Sequence, residues 1–405
     1  MKHASFLAVA VAVALCGFAA PASATHVQCG DTITTDATLD SDLIDCTGDG
    51  VVIGAGDITL DLNGHTIDGD DTGPLCEPAD GGVANPDGYD GITIKNGTIQ
   101  EFGTGIVGGY GRSFMRDLTI RSNRLYGIII GAFPPDSVDA NEIQSNLVTG
   151  NGCGGIGVFG ASNETIELNQ VTDTQAGEGG LVFGAISIDA VNDSLITSNT
   201  VSGNAGEAIG GGGNVGNSFR GNTVSDNGDG IVLGGDSDNN LVDQNSAIRN
   251  GAGVVIESAS NNQVTGNSLF DNFFVGVVVI GGDDNRLEKN SISGNGDRFE
   301  GGIHLVSNDQ GDGSDRTIVS ENTLSRNRGD GILVDPGQIG TVIAKNRSEA
   351  NSDDGIDVDE PATTLRKNIT NRNRDLGIEA VVGVIDGGGN RARGNRVQCT
   401  NVACR

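Results

Sequence analysis

Short runs of alternating apolar and polar residues recur along most of the chain. Representative runs are Gly230–Leu233, Gly253–Ile256 and Gly331–Val334. A run of this length with a period of two is too short for a helix and is typical of a β-strand. Asn, Asp and Gly separate the runs, and these residues tolerate the left-handed backbone of a sharp corner. The pattern therefore predicts short strands joined by tight turns.

The predicted corners return at a nearly constant interval. An Asn, in most cases followed two residues later by an apolar residue, recurs mostly 22 to 24 residues apart, at Asn146, Asn169, Asn199, Asn222, Asn245, Asn267, Asn290, Asn322, Asn346, Asn368 and Asn395. A second Asn follows five residues after nine of these positions, at Asn151, Asn204, Asn227, Asn250, Asn272, Asn295, Asn327, Asn351 and Asn373. Such regularity indicates a repeat architecture.

The size of the repeat favours a parallel β-helix. Since a strand rises ~3.3 Å per residue, one repeat makes one compact coil, and stacked coils pair their strands at ~4.8 Å. We predict a single-domain, all-β solenoid of about twelve coils, because a chain of repeats does not divide into separate cores. The two Asn series would form hydrogen-bonded amide ladders at one or two corners, around an interior of Ile, Val and Leu.

Composition and charge narrow the range of partners. The 405 residues include 66 Gly and no Trp, and 24 Lys and Arg against 54 Asp and Glu give a net charge of -30. The glycines follow no collagen period, and 36% hydrophobic residues exclude a disordered acidic tail. The negative charge argues against nucleic acid and against an anionic membrane surface.

The start of the chain has the pattern of a secretory signal. A basic start precedes an apolar run from Phe6 to Ala20, and Ala22–Ala24 fits a small-residue cleavage site. We therefore expect residues 1–24 to be a cleaved Sec-type signal peptide. The mature protein would then be secreted or displayed on the cell surface.

Six cysteines follow the predicted signal, an even number in a compartment that permits disulfides. Their positions favour three staples: Cys29 with Cys46, Cys399 with Cys404, and Cys76 with Cys153. We expect an N-terminal cap over residues 25–57, β-helix repeats over 58–398 and a disulfide-closed tail over 399–405.

The repeat unit and the run Asp61–Gly69 resemble right-handed parallel β-helix proteins of the pectin-lyase-like fold. The resemblance extends from about residue 50 to residue 398. This group includes NosD-type periplasmic proteins, polyuronate lyases, polygalacturonases and alginate epimerases. The resemblance implies a single-stranded, right-handed β-helix that binds or acts on extracellular or cell-wall polysaccharide. It carries no copper ligands onto this chain, because the mature sequence offers only scattered His and one Met.

Acidic residues are concentrated between residues 330 and 360. Aligned coils place His304, Leu333, Asp357 and Glu379 in one outward column, and Ser307, Asp335, Asp359 and Val381 in the next. Carboxylates one coil apart raise one pKa and can share a proton. The run Asn351–Val358 is similar to the N-T-D-G-I-D strand of polygalacturonases, although the G-H-G and R-x-K motifs of that family are absent. The candidate catalytic residues are Asp335, Asp354, Asp357 and Asp359.

The same carboxylates also suit Ca²⁺, which takes six to eight oxygen ligands. The candidate calcium ligands are Asp330, Asp335, Asp357 and Asp359, with Asp353 and Glu360 nearby. A third interpretation is structural, because Asp is common at turns and at solvent-facing strand positions. All three interpretations stay open at this stage.

An aromatic region near the start is a second candidate site. Tyr89, Tyr110 and Tyr126 lie close together in sequence with Phe102, Phe114 and Phe133, and insertions at 70–89 and 131–140 interrupt the repeat there. Aromatic faces with Arg112 and Arg116 would suit a sugar ring and its carboxylate. The alternative is that these rings pack beneath the longer loops. With His304, the candidate ligand-binding residues are Tyr89, Tyr110, Tyr126 and Arg112.

The sequence therefore favours an exported monomer that binds, and in one version acts on, polysaccharide. Two other functions remain in competition. One is a non-catalytic surface or scaffold protein with a protein partner. The other is a lyase or glycoside hydrolase of a uronate polymer, with calcium as the one cofactor under consideration.

Overall fold

Each sequence repeat folds into one coil of short strands that pair in parallel with the coils before and after it. The computed structural model describes residues 26–77, 79–131, 138–176, 183–296 and 300–405. The fold is the predicted right-handed, all-β solenoid. The described ranges contain no helix. None of these residues forms a helical segment of the length and apolarity that crossing a membrane requires.

One parallel sheet of sixteen strands, sheet 1, extends along the whole solenoid. Its strands, numbered in chain order, are β1 (Asp31–Ile33), β4 (Val51–Ile53), β7 (Gly81–Asn85), β9 (Thr104–Gly108), β11 (Tyr126–Gly131), β15 (Gly154–Phe159), β19 (Ile186–Asp189), β22 (Ile209–Gly211), β25 (Ile231–Leu233), β28 (Ala252–Glu257), β31 (Val275–Ile280), β34 (Ile303–Val306), β37 (Ile332–Val334), β40 (Ile356–Val358), β43 (Leu376–Ala380) and β46 (Val397–Cys399).

Two further ladders of parallel strands complete the cross-section. Ladder 2 contains β2 (Ala37–Thr38), β5 (Thr59–Asp61), β8 (Thr93–Gln100), β10 (Phe114–Arg121), β13 (Glu142–Gln144), β17 (Thr165–Glu167), β20 (Leu195–Thr197), β23 (Ser218–Arg220), β26 (Leu241–Asp243), β29 (Gln263–Thr265), β32 (Arg286–Glu288), β35 (Ile318–Ser320), β38 (Val342–Ala344), β41 (Thr364–Arg366) and β44 (Ile385–Gly388). Ladder 3 contains β3 (Leu43–Cys46), β6 (Thr66–Gly69), the second halves of β8 and β10, β14 (Leu147–Thr149), β18 (Gln170–Thr172), β21 (Thr200–Ser202), β24 (Thr223–Ser225), β27 (Ser246–Ile248), β30 (Ser268–Phe270), β33 (Ser291–Ser293), β36 (Thr323–Ser325), β39 (Arg347–Glu349), β42 (Ile369–Asn371) and β45 (Arg391–Arg393). A small separate pair joins β12 (Val138–Asp139) to β16 (Ala161–Ser162).

The solenoid has about fifteen coils, and the expected twelve was too low. The undercount arose in the first four coils, which lack the Asn between ladders 2 and 3. In two of these coils β8 and β10 run straight through that corner, where Gly97 pairs with Leu118. Residues 25–57, expected to form a cap, already supply β1 to β4, and β1 pairs with β4 in sheet 1. Residues 1–24 lie outside the described ranges.

The predicted Asn series form buried hydrogen-bonded ladders. Asn245 is typical: its Nδ2 donates to the carbonyl of Phe219 at 2.9 Å and to Oδ1 of Asn267 at 3.1 Å. Its Oδ1 accepts from the backbone N and Nδ2 of Asn222 at 2.9 and 3.0 Å. Each amide thus satisfies buried groups of its own coil and of the neighbouring coils.

The prediction for the first Asn ladder is wrong at the C-terminal end of the solenoid. The first ladder passes from Asn368 to Asn390, not to Asn395. Asn395 instead follows Asn373 and ends the second ladder. The sequence could not separate these two positions, because both are Asn in the same irregular last coil.

A third ladder, which the sequence did not reveal, stands five residues before the first. Its members vary between Asn, Ser, Thr and Glu, so it shows no simple motif: Ser113, Asn141, Glu164, Ser194, Asn217, Asn240, Asn262, Asn285, Thr317, Thr341 and Thr363. Glu164 is the only ionisable group among them and is 1% exposed. Its Oε1 accepts from Nδ2 of Asn141 at 3.2 Å, and its Oε2 has no hydrogen-bond partner in the described ranges.

Disulfides close the solenoid as predicted. They join Cys29 to Cys46, Cys76 to Cys153 and Cys399 to Cys404. The interior of the solenoid is a continuous column of buried Ile, Val and Leu side chains that stack in register from coil to coil.

Removing one ladder amide is expected to destabilise the solenoid. Asn245→Ala removes the side-chain bonds to Phe219, Asn222 and Asn267 and leaves buried groups unpaired, at a cost of about 2–4 kcal/mol. Gln263→Ala, at an exposed position of ladder 2, is the matched control and should change little. Urea unfolding of both variants measures the difference. Equal free energies of unfolding would contradict a stabilising role for the ladder.

Glu164 is expected to make stability depend on pH. Burial raises its pKa from 4.5 to about 8, with a smaller contribution from Asp139, whereas the bonds from Asn141 lower it. Because the folded state holds the proton more tightly, this stability is complete below about pH 4.5 and is lost as the pH rises through about 8. Glu164→Gln should keep the bond from Asn141 and remove this loss. Thermal unfolding of the wild type and of Glu164→Gln between about pH 5 and about pH 9 would test this loss of stability. If the Tm of both proteins changed with pH by the same amount, the prediction would be wrong.

Candidate active site

A cluster of carboxylates lies on and beside sheet 1, where β37, β40 and β43 are adjacent. The register aligns His304 with Leu333, Leu333 with Asp357, and Asp357 with Glu379. This is the outward column that the sequence predicts. It faces outward because the alternate residues of these strands, such as Ile356 and Val358, fill the interior.

Two overlapping groups of three carboxylates form within this cluster. One consists of Asp330, Asp353 and Asp354, and the other of Asp354, Asp357 and Glu379. In each group, one oxygen from each residue lies within 4.8 Å of the others. We call the five residues the carboxylate cluster. Asp354 belongs to both groups and is therefore its centre.

Part of the cluster is structural. Oδ1 of Asp330 accepts from the backbone N of Asp354 at 2.7 Å, and Oδ1 of Asp354 accepts from that of Leu376 at 2.6 Å. Asp229 makes the same bond to Ala252 at 2.7 Å in a coil far from the cluster. One oxygen of Asp330 and of Asp354 thus fixes the start of the next strand. Oδ1 of Asp330 and Oδ1 of Asp354 therefore have a structural role, as the third interpretation of these aspartates expects.

Burial and mutual repulsion raise the pKa values within the cluster. Burial, followed by repulsion from Asp330, raises the pKa of Asp357 to about 7. Burial raises that of Asp354 to about 8, helped by its hydrogen bond to Glu379, and that of Asp330 to about 6. Oδ1 of Asp357 is buried without a hydrogen-bond partner in the described ranges. These shifts make Asp330, Asp354 and Asp357 hold a proton more readily than exposed aspartates do.

The remaining acidic candidates have other surroundings. Asp335 does not enter either group of three; its Oδ2 lies 3.2 Å from Nε2 of His304, whose Nδ1 is 4.0 Å from Glu300. Asp359 follows β40 and is exposed. Glu360 accepts from the backbone N of Gly337 at 2.8 Å and of Ala362 at 3.0 Å. The structure thus brings Asp330, Asp354 and Asp357 together, and leaves Asp335 and Asp359 outside the cluster.

Two members of the cluster, Glu379 and Asp353, were not among the sequence-based candidate site residues. Glu379 could have been found, because the aligned column already placed it directly after Asp357. Its partnership with Asp354 could not, since that depends on how the corner before β43 brings two columns together.

The aromatic candidates are mostly inside the protein. Tyr110 is 1% exposed within the core, and burial raises its pKa. Tyr126 is also buried, packs against Phe159 and Phe183, and lies 3.3 Å from Oγ of Ser187. Buried rings have no free face for a sugar, so both are structural. They anchor the longer coils from beneath.

The other members of this region do not converge either. Tyr89 is half-buried against the core, and Arg112 is exposed with an ion pair to Asp90 at 3.2 Å. Phe133 and residues 132–137 of the second insertion lie outside the described ranges.

An exposed aromatic pair occurs elsewhere, and the sequence analysis missed it. Phe273 and Phe274 are 60% and 50% exposed, with ring centroids 4.8 Å apart, at the corner between ladder 3 and sheet 1. Their only sequence signal is a break in the repeat, since Asn272 is followed by Phe273 where the two preceding coils carry Gly228 and Gly251.

Two family models match the sequence. The first, a right-handed β-helix region, matches residues 181–311 and 310–397, which together make more than half of the chain. The second, the periplasmic copper-binding protein NosD, matches residues 82–243. No protein of curated function matches.

Solved structures share the fold at low sequence identity. The catalytic domain of a GH87 α-1,3-glucanase in complex with nigerose has a TM-score of 0.51 and 15% identity, over 78% of this chain and 63% of that domain. The A-module of a mannuronan C-5 epimerase from Azotobacter vinelandii has a TM-score of 0.42 and 15% identity, over 93% and 91%. A DFA-IIIase from Arthrobacter chlorophenolicus A6 has a TM-score of 0.43 and 14% identity, over 73% and 67%. At these identities the likeness concerns the fold alone.

The region that the NosD model matches does not fit a copper site. Residues 82–243 contain no His, one Met and one Cys. Met115 is fully buried, and Cys153 is disulfide-bonded to Cys76. Copper requires a cluster of His, Met or thiolate ligands. We therefore derive no copper chemistry for this chain.

Neutralising Asp357 is expected to stabilise the protein above neutral pH. Its raised pKa means that the stability provided by the protonated form is present in acid and is lost as the pH rises through about 7. Asp357→Asn should therefore raise the Tm at about pH 8.5 and leave it nearly unchanged at about pH 4. Asp236→Asn, at an exposed and remote corner, is the control. The same shift in Tm at both pH values would contradict a buried charge at Asp357.

Proposed function

This chain belongs to the right-handed β-helix family, and from that membership we propose that it is an exported glycoside hydrolase that cuts polysaccharide at the carboxylate cluster. The observation that carries this proposal is a pair of carboxyl groups, Asp357 and Glu379, which are adjacent in one outward column with oxygens within 4.8 Å of each other. Hydrolysis of a glycosidic bond needs one carboxylic acid to protonate the leaving oxygen and one carboxylate to activate water or attack the sugar.

Asp357 is the proposed general acid. A pKa of about 7 keeps it partly protonated at neutral pH, and its side chain faces outward from β40. Glu379 is the proposed partner carboxylate, since it is exposed and adjacent in the column. Oxygens of the two residues lie within 4.8 Å, which is close enough for both to act on one sugar.

The other members support this pair. Asp354 is too buried to touch a polymer and holds Glu379 through their hydrogen bond, so we regard it as a positioning residue. Asp330 helps to raise the pKa of Asp357 by repulsion. His304, held by Asp335, lies two coils before Asp357 in the same column and is largely buried, so we assign it no contact with the sugar at Asp357.

Two broader observations support a carbohydrate substrate and export. The glucanase domain, whose TM-score exceeds 0.5, acts on a polysaccharide with the same fold. Three disulfides fit an oxidising compartment outside the cytoplasm, which agrees with the predicted signal sequence.

A second candidate function is calcium-assisted binding of polysaccharide without cleavage. The two overlapping groups of carboxylates favour it, because a hard divalent cation would relieve their repulsion. Asp330, Asp353, Asp354, Asp357 and Glu379 would hold the ion, and the ion would bridge to acidic groups of the polymer. Asp335 and Asp359 are not in these groups, so only Asp330 and Asp357 remain from the expected calcium set.

One assay distinguishes hydrolysis from calcium-assisted binding. We expect the full chain to release reducing ends from one of α-1,3-glucan, polygalacturonate or alginate, and Asp357→Asn to lower the rate about 100-fold. Asp236→Asn, the same change at an exposed remote corner, should keep the wild-type rate. Each reaction is run with Ca²⁺ and with a chelator.

Each outcome identifies one function. Calcium-dependent retention without new reducing ends would support the binding function and overturn hydrolysis. Unsaturated products would indicate a lyase. Cleavage that survives Asp357→Asn would exclude Asp357 as the acid. If no polymer is bound or cut, a surface or scaffold protein with a protein partner becomes the better proposal.

A further inference from the structure

Three arginines face one shallow depression on the flank of the solenoid. Arg347 lies on β39, Arg393 on β45, and Arg372 at the corner after β42. The depression has a volume of about 350 Å³ and is also lined by Glu349 and Asn371. We call these five residues the arginine pocket. None of them was among the sequence-based candidate residues.

Glu349 holds the pocket in place. Its Oε1 lies 2.7 Å from a guanidinium nitrogen of Arg347 and accepts from Nδ2 of Asn371 at 2.8 Å. Its Oε2 lies 3.5 Å from Arg372. Arg393 makes no ion pair in the described ranges. One carboxylate therefore faces three guanidinium groups, and the pocket keeps a local positive charge in a chain of net charge -30.

The repeat does not require these arginines. In the five preceding coils, the position equivalent to Arg347 carries a small hydroxyl side chain: Thr223, Ser246, Ser268, Ser291 and Thr323. The two coils before Glu349 likewise carry Ser293 and Ser325 in its column, which ends at Arg393. Since serine satisfies the fold in both columns, coil packing does not require arginine at positions 347 and 393.

The arginine pocket and the carboxylate cluster lie on either side of one corner of the same coils. Residues 350–353 form the corner between Glu349 on ladder 3 and Asp354 before β40. A second depression of about 390 Å³ occupies this corner, lined by Ser352, Asp353 and Arg374 together with an Arg396–Asp375 ion pair of 2.6 Å. Asp353 also belongs to the carboxylate cluster. A bound chain could therefore contact both sites.

We propose that the arginine pocket is a subsite for the anionic group of an acidic glycan, which it holds while a neighbouring sugar reaches the carboxylate cluster. This inference rests on the proposed function and specifies its substrate class. The planar guanidinium fork binds carboxylate or sulfate through paired hydrogen bonds. Because the protein as a whole repels polyanions, a local cationic subsite is needed to bring such a chain to the cluster.

A glycan fits better than a nucleic acid. The lining residues of the pocket include no aromatic side chain on which a base could stack. The pocket is also confined to three coils, whereas a nucleic acid backbone needs a longer run of positive charge.

The test measures binding with matched charged and neutral polymers. The full chain carrying Asp357→Asn, which prevents consumption of the polymer, is titrated with polygalacturonate and with its methyl ester. A second arm uses dextran sulfate and dextran, so that carboxylate and sulfate recognition are distinguished. Double-stranded DNA serves as a generic polyanion. Arg393→Gln and Arg372→Gln are compared with Arg366→Gln, which removes the same charge from an exposed position on ladder 2.

We expect one charged polymer to bind more tightly than its neutral counterpart. Each pocket variant should weaken that binding about tenfold, since one charge-assisted contact is lost, with no change for Arg366→Gln. Unchanged Tm values would show that the variants are folded. Equal binding of charged and neutral polymers, an equal effect of Arg366→Gln, or DNA binding with the same arginine dependence would each overturn the subsite.

Failure of the subsite and failure of the proposed function remain distinguishable. Cleavage of a neutral glucan that depends on Asp357 but not on the arginines would leave the hydrolase standing without the subsite. Arginine-dependent retention of a charged polymer that is never cut would leave the subsite standing without the hydrolase.

Discussion

A buried side-chain amide can satisfy its hydrogen bonds here only if the next coil presents an equivalent group one step along the axis. Asn222, Asn245 and Asn267 show this dependence, because each accepts from the amide before it and donates to the amide after it. A coil of different length or register would leave buried donors and acceptors unpaired on both sides. This constraint fixes the stacking, and the stacking fixes the outward columns in which chemistry can be placed.

Because interior and corner residues are enough to form the fold, the side chains at outward positions can differ from the repeat pattern. The departures are therefore the informative residues. Arginines replace small hydroxyl residues on ladder 3, and Asp357 and Glu379 stand where other coils carry apolar or uncharged side chains. Both departures fall in the last coils and around one corner. The proposed anion subsite on ladder 3 and the carboxylate cluster on sheet 1 therefore lie on either side of one corner.

Much of the fold followed from spacing alone, whereas the site followed only in part. Asp357 was found because its column depends on the repeat length. The role of the aromatic residues stayed open because the sequence does not distinguish a ring above a loop from one beneath it. Tyr110 and Tyr126 are buried, whereas Phe273 and Phe274 are exposed. The third ladder escaped notice because Ser, Thr, Asn and Glu share its buried positions, so no single residue type marks that corner.

The amino-acid sequence by itself determined the repeat, the strand class, the amide ladders and the column that contains Asp357, because all of these depend on spacing. Only the tertiary structure decided which polar groups meet across corners. In the structure Asp354 is hydrogen-bonded to Glu379, and Asp335 lies beside His304 outside the carboxylate cluster. The arginine pocket forms where three arginines surround Glu349. The spacing of residues in the sequence defines which residues are adjacent along the solenoid axis. Which residues meet around one coil depends on the shapes of its corners, and these shapes differ from coil to coil.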